Sequence, residues 1–244
     1  MVLLFFLVPK TGGTTVHHDL RETFGASYLR LTLNRGRGGH EFLTHADVRA
    51  HLAPMARGMM AVSGHLLRHP VRLEDDHIAC TTVVRNPYDW ALSHYFHALR
   101  RAWIPSDASF EVYLTKYYGL GNYQTQHFAE SGRAVDAIDA LADFVLVGVT
   151  DQLQAYREHL AAFIQREMGH RMVVRERASN VAPNRTRNAL ELSTREQRVL
   201  LDVLGEDVKL YHYASQRARQ LLVADRCCSP DSTDGVQARA EWWH

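Results

Sequence analysis

Two short stretches of this 244-residue chain combine residue types suited to holding a phosphate-like anion. The first, Pro9-Lys10-Thr11-Gly12-Gly13-Thr14-Thr15, follows an apolar run. Two glycines let the backbone curl so that its N–H groups point inward. A helix starting behind them adds the positive end of its dipole, and Lys10 adds a full charge. In the G-x-x-x-x-G-K-[ST] loop of nucleotide triphosphatases the lysine comes after the second glycine; here it precedes both, and that motif occurs nowhere in the chain. Taken alone, a glycine turn with an exposed lysine is the alternative. The second stretch runs from Val83 to Tyr95, with Arg85 at the end of an apolar run and Ser93 eight residues later. A guanidinium offers a bidentate contact to phosphate and a serine hydroxyl a further donor. The two can meet one anion only if the helix carrying Ser93 runs back beside the strand that ends at Arg85. The alternative is a surface cation and an ordinary helix residue.

The elements around these stretches alternate. Val2–Val8 is continuously apolar, as suits a strand buried on both faces of a parallel sheet, and Thr14–Phe24 reads as the helix behind it. Met59–Ser63 is a short strand broken by Gly64, and His77–Val84 a longer one. Pro87 opens the helix Tyr88–Arg101. Residues 102–121 are loop-like, with a short helix over Phe110–Tyr117; Asn122–Ala129 and Val135–Leu141 read as further short helices. Phe144–Val149 is the next strand, after which Thr150 and Asp151 cap a long amphipathic helix ending near Gly169. Met172–Arg177 is a weaker strand candidate. Ser193 and Glu196 have capping-box spacing at the head of a helix to about Leu204, and Asp207–Leu222 is another helix. This alternation indicates an α/β fold with a central, mainly parallel sheet flanked by helices, in which ligands bind beyond the carboxyl ends of the strands.

At 46% hydrophobic residues the chain can bury a sizeable core, read as a single domain over 1–223 with a poorly ordered tail at 224–244. With 28 basic and 27 acidic residues the net charge is +1, so nothing in the bulk charge points to nucleic acid or a membrane surface as partner. Three cysteines, one of them (Cys80) in a buried run, argue against a disulfide framework and for a reducing, cytoplasmic setting. The seven-residue apolar run at Val2–Val8 is too short for a membrane span, which takes about 20 residues, and it lacks the basic flank of a signal peptide.

Taken together, the Lys-Thr-Gly-Gly-Thr loop and Arg-Asn-Pro-Tyr with a serine eight positions after the arginine resemble the PAPS-dependent sulfotransferases, with their P-loop-like three-layer fold. PAPS is 3′-phosphoadenosine 5′-phosphosulfate. Within that family the likeness is to the heparan sulfate 2-O-sulfotransferase-like and bacterial group. Ser63-Gly64-His65, Asn122-Tyr123-Gln124-Thr125 and Phe144–Asp151 (FVLVGVTD) fit the same group in the same order, so the resemblance covers roughly residues 2 to 215.

The resemblance implies transfer of a sulfuryl group from PAPS, with PAP as product, to a hydroxyl of a glycan or small-molecule acceptor. Lys10 and the backbone of Thr11, Gly12 and Gly13, with the hydroxyls of Thr14 and Thr15, would hold the 5′-phosphosulfate. Arg85 and Ser93 would hold the 3′-phosphate. His65 would be the general base, since an attacking hydroxyl must lose a proton and a neutral imidazole can take it. Lys10 would stabilise charge growing on the bridging oxygen, a scheme that requires no metal. Asn122, Gln124 and Thr125 would line the acceptor site or serve as structural hydrogen-bonding groups. Arg185 or Arg187, in a late loop, would add a contact to the 3′-phosphate. The chain departs from the group at Ser63, where the heparan enzyme has a second histidine. Two other readings stand beside this one: a P-loop kinase-like phosphotransferase, and a PAPS- or PAP-binding protein without turnover. His17-His18-Asp19 offers no metal site, because neighbouring residues on a helix point about 100° apart. Arg30, Arg35 and Arg37 among glycines read as a basic loop.

Overall fold

The computed structural model describes residues 1–31, 59–65, 67–68, 77–117, 121–175 and 192–227. Its centre is a five-stranded parallel sheet of order β2-β3-β1-β4-β5, made of β1 (Val2–Phe6), β2 (Tyr28–Leu31), β3 (Ala61–Gly64), β4 (Ile78–Val84) and β5 (Leu146–Val149). The central strand β1 sets Phe6 opposite Gly64 on one side and Thr82 on the other.

The unbroken apolar character of β1 follows from having helices on both faces. Leu3 and Phe5 pack with Val16 and Leu20 of α1 (Gly13–Phe24) and with Leu160 and Ile164. Leu4, Phe6 and Val8 face the other layer, against Phe128, Leu141, Leu210 and Ala214. These side chains are essentially inaccessible, and each large one contributes roughly 1.5–3 kcal/mol of burial. The result is a three-layer α/β fold. Its further helices are α2 (Pro87–Arg100), α3 (Tyr123–Phe128), α4 (Ala134–Ala142), α5 (Leu153–Met168) and α6 (Thr194–Cys227).

Several local expectations change. Arg30 lies in edge strand β2, which pairs with β3, so the basic stretch begins inside the sheet; Arg35 and Arg37 lie outside the described residues. Gly64 does not break its strand but ends it in register, because a bare Cα lets the Leu31 carbonyl approach: an added Cβ would stand 2.4 Å from that oxygen. Phe110–Val112 is a single helical turn that widens into a π turn at Tyr113–Tyr117. Met172 is buried as expected, but its backbone is not in a strand through residue 175. Thr150 does not cap α5; its hydroxyl is drawn to the carbonyls of Val84, at the end of β4, and of Thr11, in the loop after β1, and a 3₁₀ turn, Thr150–Gln152, leads into the helix. The capping box at Ser193 and Glu196 forms: the Glu196 carboxylate accepts from Ser193 N at 2.9 Å and Glu196 N donates back to Ser193 Oγ. The two late helices run on as α6 with a non-helical Leu204 between them, and α6 continues past Val223 to Cys227. Among the described residues no helix is long and apolar enough to cross a membrane.

The layer of α1 and α5 is clamped by a buried ion pair. Arg157 donates from Nε and Nη2 to the Asp19 carboxylate at 2.6 and 3.0 Å, and Nη1 and Nη2 also reach Gln154 Oε1 and the Arg175 carbonyl. Asp19 is thereby committed to the scaffold. Arg157→Ala would strand that carboxylate, so the variant is expected to lose roughly 3–5 kcal/mol of unfolding free energy in urea titrations. A loss under about 1 kcal/mol would show that the clamp does not support the fold.

Candidate active site

The loop between β1 and α1 lies at the carboxyl end of the sheet, beside the point where the chain, having filled the β3 side of β1, crosses to the β4 side. Six consecutive carbonyls of this loop are each held by a donor. Leu7 O accepts from His65 Nδ1 (2.7 Å), Val8 O from Thr11 Oγ (2.9 Å) and Pro9 O from Trp90 Nε1 (2.7 Å). Lys10 O accepts from Arg85 Nη1 (3.1 Å), Thr11 O from Thr150 Oγ (3.2 Å) and Gly12 O from Thr15 N (3.0 Å). In a planar trans peptide the following N–H points opposite its carbonyl, so anchoring these oxygens turns the N–H groups of Val8, Lys10, Thr11, Gly12 and Gly13 away from the anchors, while Pro9 has none to turn.

The two glycines serve different purposes. Gly12 has φ 85°, a left-handed conformation that starts α1 without a side-chain cap. Gly13 has no such need, but a Cβ there would lie 2.0 Å from Leu7 Cδ1, so its bareness lets the helix start sit on the strand end. The first turn of α1 carries no acidic residue, leaving its positive dipole end uncompensated from within the helix. Of the two predicted hydroxyl donors in that turn, Thr15 is buried and Thr14 partly exposed, while Thr11 has its hydroxyl committed to the loop itself.

Lys10 also has positive φ, 69°. Burial lowers its pKa below the ordinary lysine value, with Arg100 and Arg85 lowering it further. The structure thus brings Arg85, which the sequence paired with Ser93, to Lys10 as well and adds a third cation, Arg100. Ser93, His97 and Arg100 fall at i, i+4 and i+7 along α2 and share one side of it. That spacing was legible in the sequence and was the signal for Arg100.

Trp90 went unnoticed in the sequence as a site residue. It is fully buried, and it stacks between His94 (centroids 5.1 Å, 21°) and Tyr123 (5.2 Å, 18°) while donating to Pro9 O. Arg68 closes the column, its guanidinium 5.1 Å from the Tyr123 ring centre and Nη2 donating to the phenol oxygen at 2.9 Å. His94 gives Nδ1 to a bond with Tyr113 OH at 2.6 Å, and burial, with His97 and Lys10, takes its pKa down to about 4. An imidazole that stays neutral is one that can stack near cations.

Asn122, Gln124 and Thr125 are tied into the scaffold. The kink at Leu204 leaves the N–H groups of Glu206 and Asp207 to Asn122 Oδ1, at 3.0 and 3.1 Å. In return the buried Asp207 carboxylate accepts from Gln124 N and Thr125 N at 3.2 and 2.7 Å, capping α3. The Gln124 amide then pairs with both main-chain groups of Arg85, accepting from N at 2.9 Å and donating to O at 2.8 Å. Through this relay α6 and α3 set the strand end that carries Arg85. Asp207 was missed because its partners lie 82 and 83 residues away in sequence.

His65 follows β3, partly buried. A carbonyl only accepts, so Nδ1 carries the proton given to Leu7 O, and Nε2 of the neutral ring holds the lone pair. Burial lowers its pKa below the ordinary imidazole value against the opposing Leu7 bond, with Arg30 and Arg68 adding to the lowering. Two residues earlier, Ser63 is wholly buried and bonded to Tyr28 OH, which in turn meets His17 Nδ1 at 2.6 Å. Arg185 and Arg187 lie outside the described residues.

No family model matches the chain, and neither does any curated protein. Among solved structures it is similar to a sulfotransferase from Alicyclobacillus acidocaldarius, at 15% identity over 87% of this chain and 95% of that one, with a TM-score of 0.48. It is also similar to a retinol dehydratase in complex with androsterone and inactive cofactor PAP, at 13% identity over 94% of this chain and 81% of that one, with a TM-score of 0.28.

Proposed function

We propose that this chain is a sulfotransferase that takes a sulfuryl group from PAPS and delivers it to a hydroxyl of a glycan or small molecule. The observation that carries the reading is the run of six anchored carbonyls from Leu7 to Gly12 beside Lys10, Arg85 and Arg100. A loop built this way turns peptide N–H groups and cations toward an anion, and a donor bearing a phosphosulfate and a 3′-phosphate matches that chemistry.

When bound, PAPS supplies a sulfuryl group on an activated anhydride, whose departure leaves charge on a bridging oxygen. Lys10 stabilises that charge, and the Thr11–Thr15 backbone holds the adjoining phosphate. Arg85 and Ser93 take the 3′-phosphate. His65 accepts the acceptor hydroxyl's proton at Nε2, while its bond to Leu7 O keeps the ring in the tautomer that leaves this atom free. Asn122, Gln124 and Thr125 act as positioning residues, setting Arg85 through their bonds to it and to Asp207. Ser63, committed to Tyr28, leaves His65 to act without a second histidine on its strand.

Calorimetric titration with PAP, ATP and AMP, with and without magnesium, tests the reading. PAP should bind at micromolar or tighter, roughly −8 kcal/mol, independently of magnesium and well ahead of ATP. Arg85→Ala should weaken it by about tenfold or more. Preference for magnesium-ATP would favour a kinase-like phosphotransferase. Tight PAP binding with no transfer to any hydroxyl acceptor would favour a binding protein.

A further inference from the structure

Lys10 stands in the left-handed region, at φ 69°, where a Cβ crowds the neighbouring carbonyl oxygen and glycine is the usual occupant. Nothing in a lysine favours that conformation, so the surrounding structure must impose it. The two peptides flanking Lys10 show how. The carbonyl before it, Pro9 O, accepts from Trp90 Nε1 at 2.7 Å, and its own carbonyl accepts from Arg85 Nη1 at 3.1 Å. A local bond from Thr11 Oγ to Val8 O spans the same residues.

Both long-range arms come from the corner where β4 gives way to α2, and that corner is fixed. Gln124 pairs with both main-chain groups of Arg85. Asn86 caps α2, its side chain accepting from Tyr88 N at 3.0 Å and its carbonyl from Trp90 N at 2.8 Å. The Trp90 ring is fully buried and stacked between His94 and Tyr123, which sets the direction of its N–H. A donor rooted this firmly dictates the orientation of the Pro9–Lys10 peptide rather than following it.

We infer that Trp90 is a positioning residue for Lys10: with Arg85 as the second arm, its indole N–H braces the loop in the strained conformation that presents Lys10 to the donor's 5′-phosphosulfate. The inference rests on the donor reading above and assigns Trp90 a part in it. The brace matters because residue 10 is not glycine. Glycine reaches φ 69° unaided, whereas lysine released from the brace reverts to negative φ and carries its side chain and the adjoining N–H groups away.

The test is calorimetry of the full chain with PAP for the wild type, Trp90→Phe, Lys10→Gly and the double variant. Phenylalanine keeps an aromatic ring in the stack and removes only the donor to Pro9 O. Trp90→Phe should weaken PAP about tenfold in the wild type but by no more than about twofold in the Lys10→Gly background. A residue that merely supports the fold would weaken PAP equally in both. If a Trp90 variant fails to fold, NMR of the Trp90 indole N–H in the intact chain decides: its resonance should move both on PAP binding and on Lys10→Gly substitution. PAP bound tightly by the wild type, with equal losses in the two backgrounds, no loss in Trp90→Phe or an unmoved indole resonance, overturns the inference and leaves the donor reading standing. Failure of the wild type to bind PAP overturns both.

Discussion

His65→Ala should lower sulfuryl transfer by about 10²–10⁴-fold while PAP affinity stays within about twofold, because the imidazole acts on the acceptor rather than on the nucleotide. The geometry makes this a sharp expectation. Nδ1 is spent on Leu7 O, so the one basic atom is Nε2. His65→Asn separates chemistry from position, since its amide can still donate to Leu7 O but cannot accept a proton; it should be as inactive as the alanine variant. The pH profile adds a second readout. Burial lowers the His65 pKa, so the neutral, competent form prevails above it. In the wild type, kcat/KM should climb with pH through an apparent pKa below about 6.5 and be level at neutrality, and this limb should vanish in the variants. Near-normal turnover of His65→Asn on the true acceptor would remove His65 from the mechanism.

Lys10→Gly should separate stability from activity. Transfer should fall by about 10²–10³-fold, the scale of one lost charge-stabilising group. Stability should hold or rise by up to about 1 kcal/mol, because the lysine sits at φ 69°, where glycine carries no steric penalty. It is also a half-buried cation facing Arg100 and Arg85, so its removal relieves repulsion in the unliganded protein. Parallel measurements of urea midpoint and single-turnover transfer test both halves. A loss of more than about 1 kcal/mol would mean that Lys10 supports the fold instead of straining it for a ligand.

Positions in this protein were legible from the sequence wherever short-range physics sets them. The apolar run at Val2–Val8 had to be a strand covered on both faces, and it is the centre of the sheet. Pro87 behind Asn86 had to open a helix, and the Asn86 side chain caps it. Ser193 and Glu196 had to pair across three residues, and they do. Strand β2 was missed because Tyr28–Leu31 is only four residues long and only partly buried at the sheet edge, which weakens its pattern.

What each polar atom does was decided only by the tertiary structure. The sequence by itself determined that a lysine and two glycines follow the first strand, and that an arginine ends another. It did not reveal that Trp90 from the first turn of α2, Arg85 from the end of β4, Thr150 from the end of β5 and His65 from the end of β3 converge on the carbonyls of one loop. Nor did it reveal that Asn122 and Gln124 spend their amides on Asp207, Glu206 and Arg85. Helices and strands follow from bonds and side-chain patterns within a few residues. A buried hydrogen bond instead joins groups dozens of residues apart, and only the packed layers determine which donor lies within 3 Å of which oxygen.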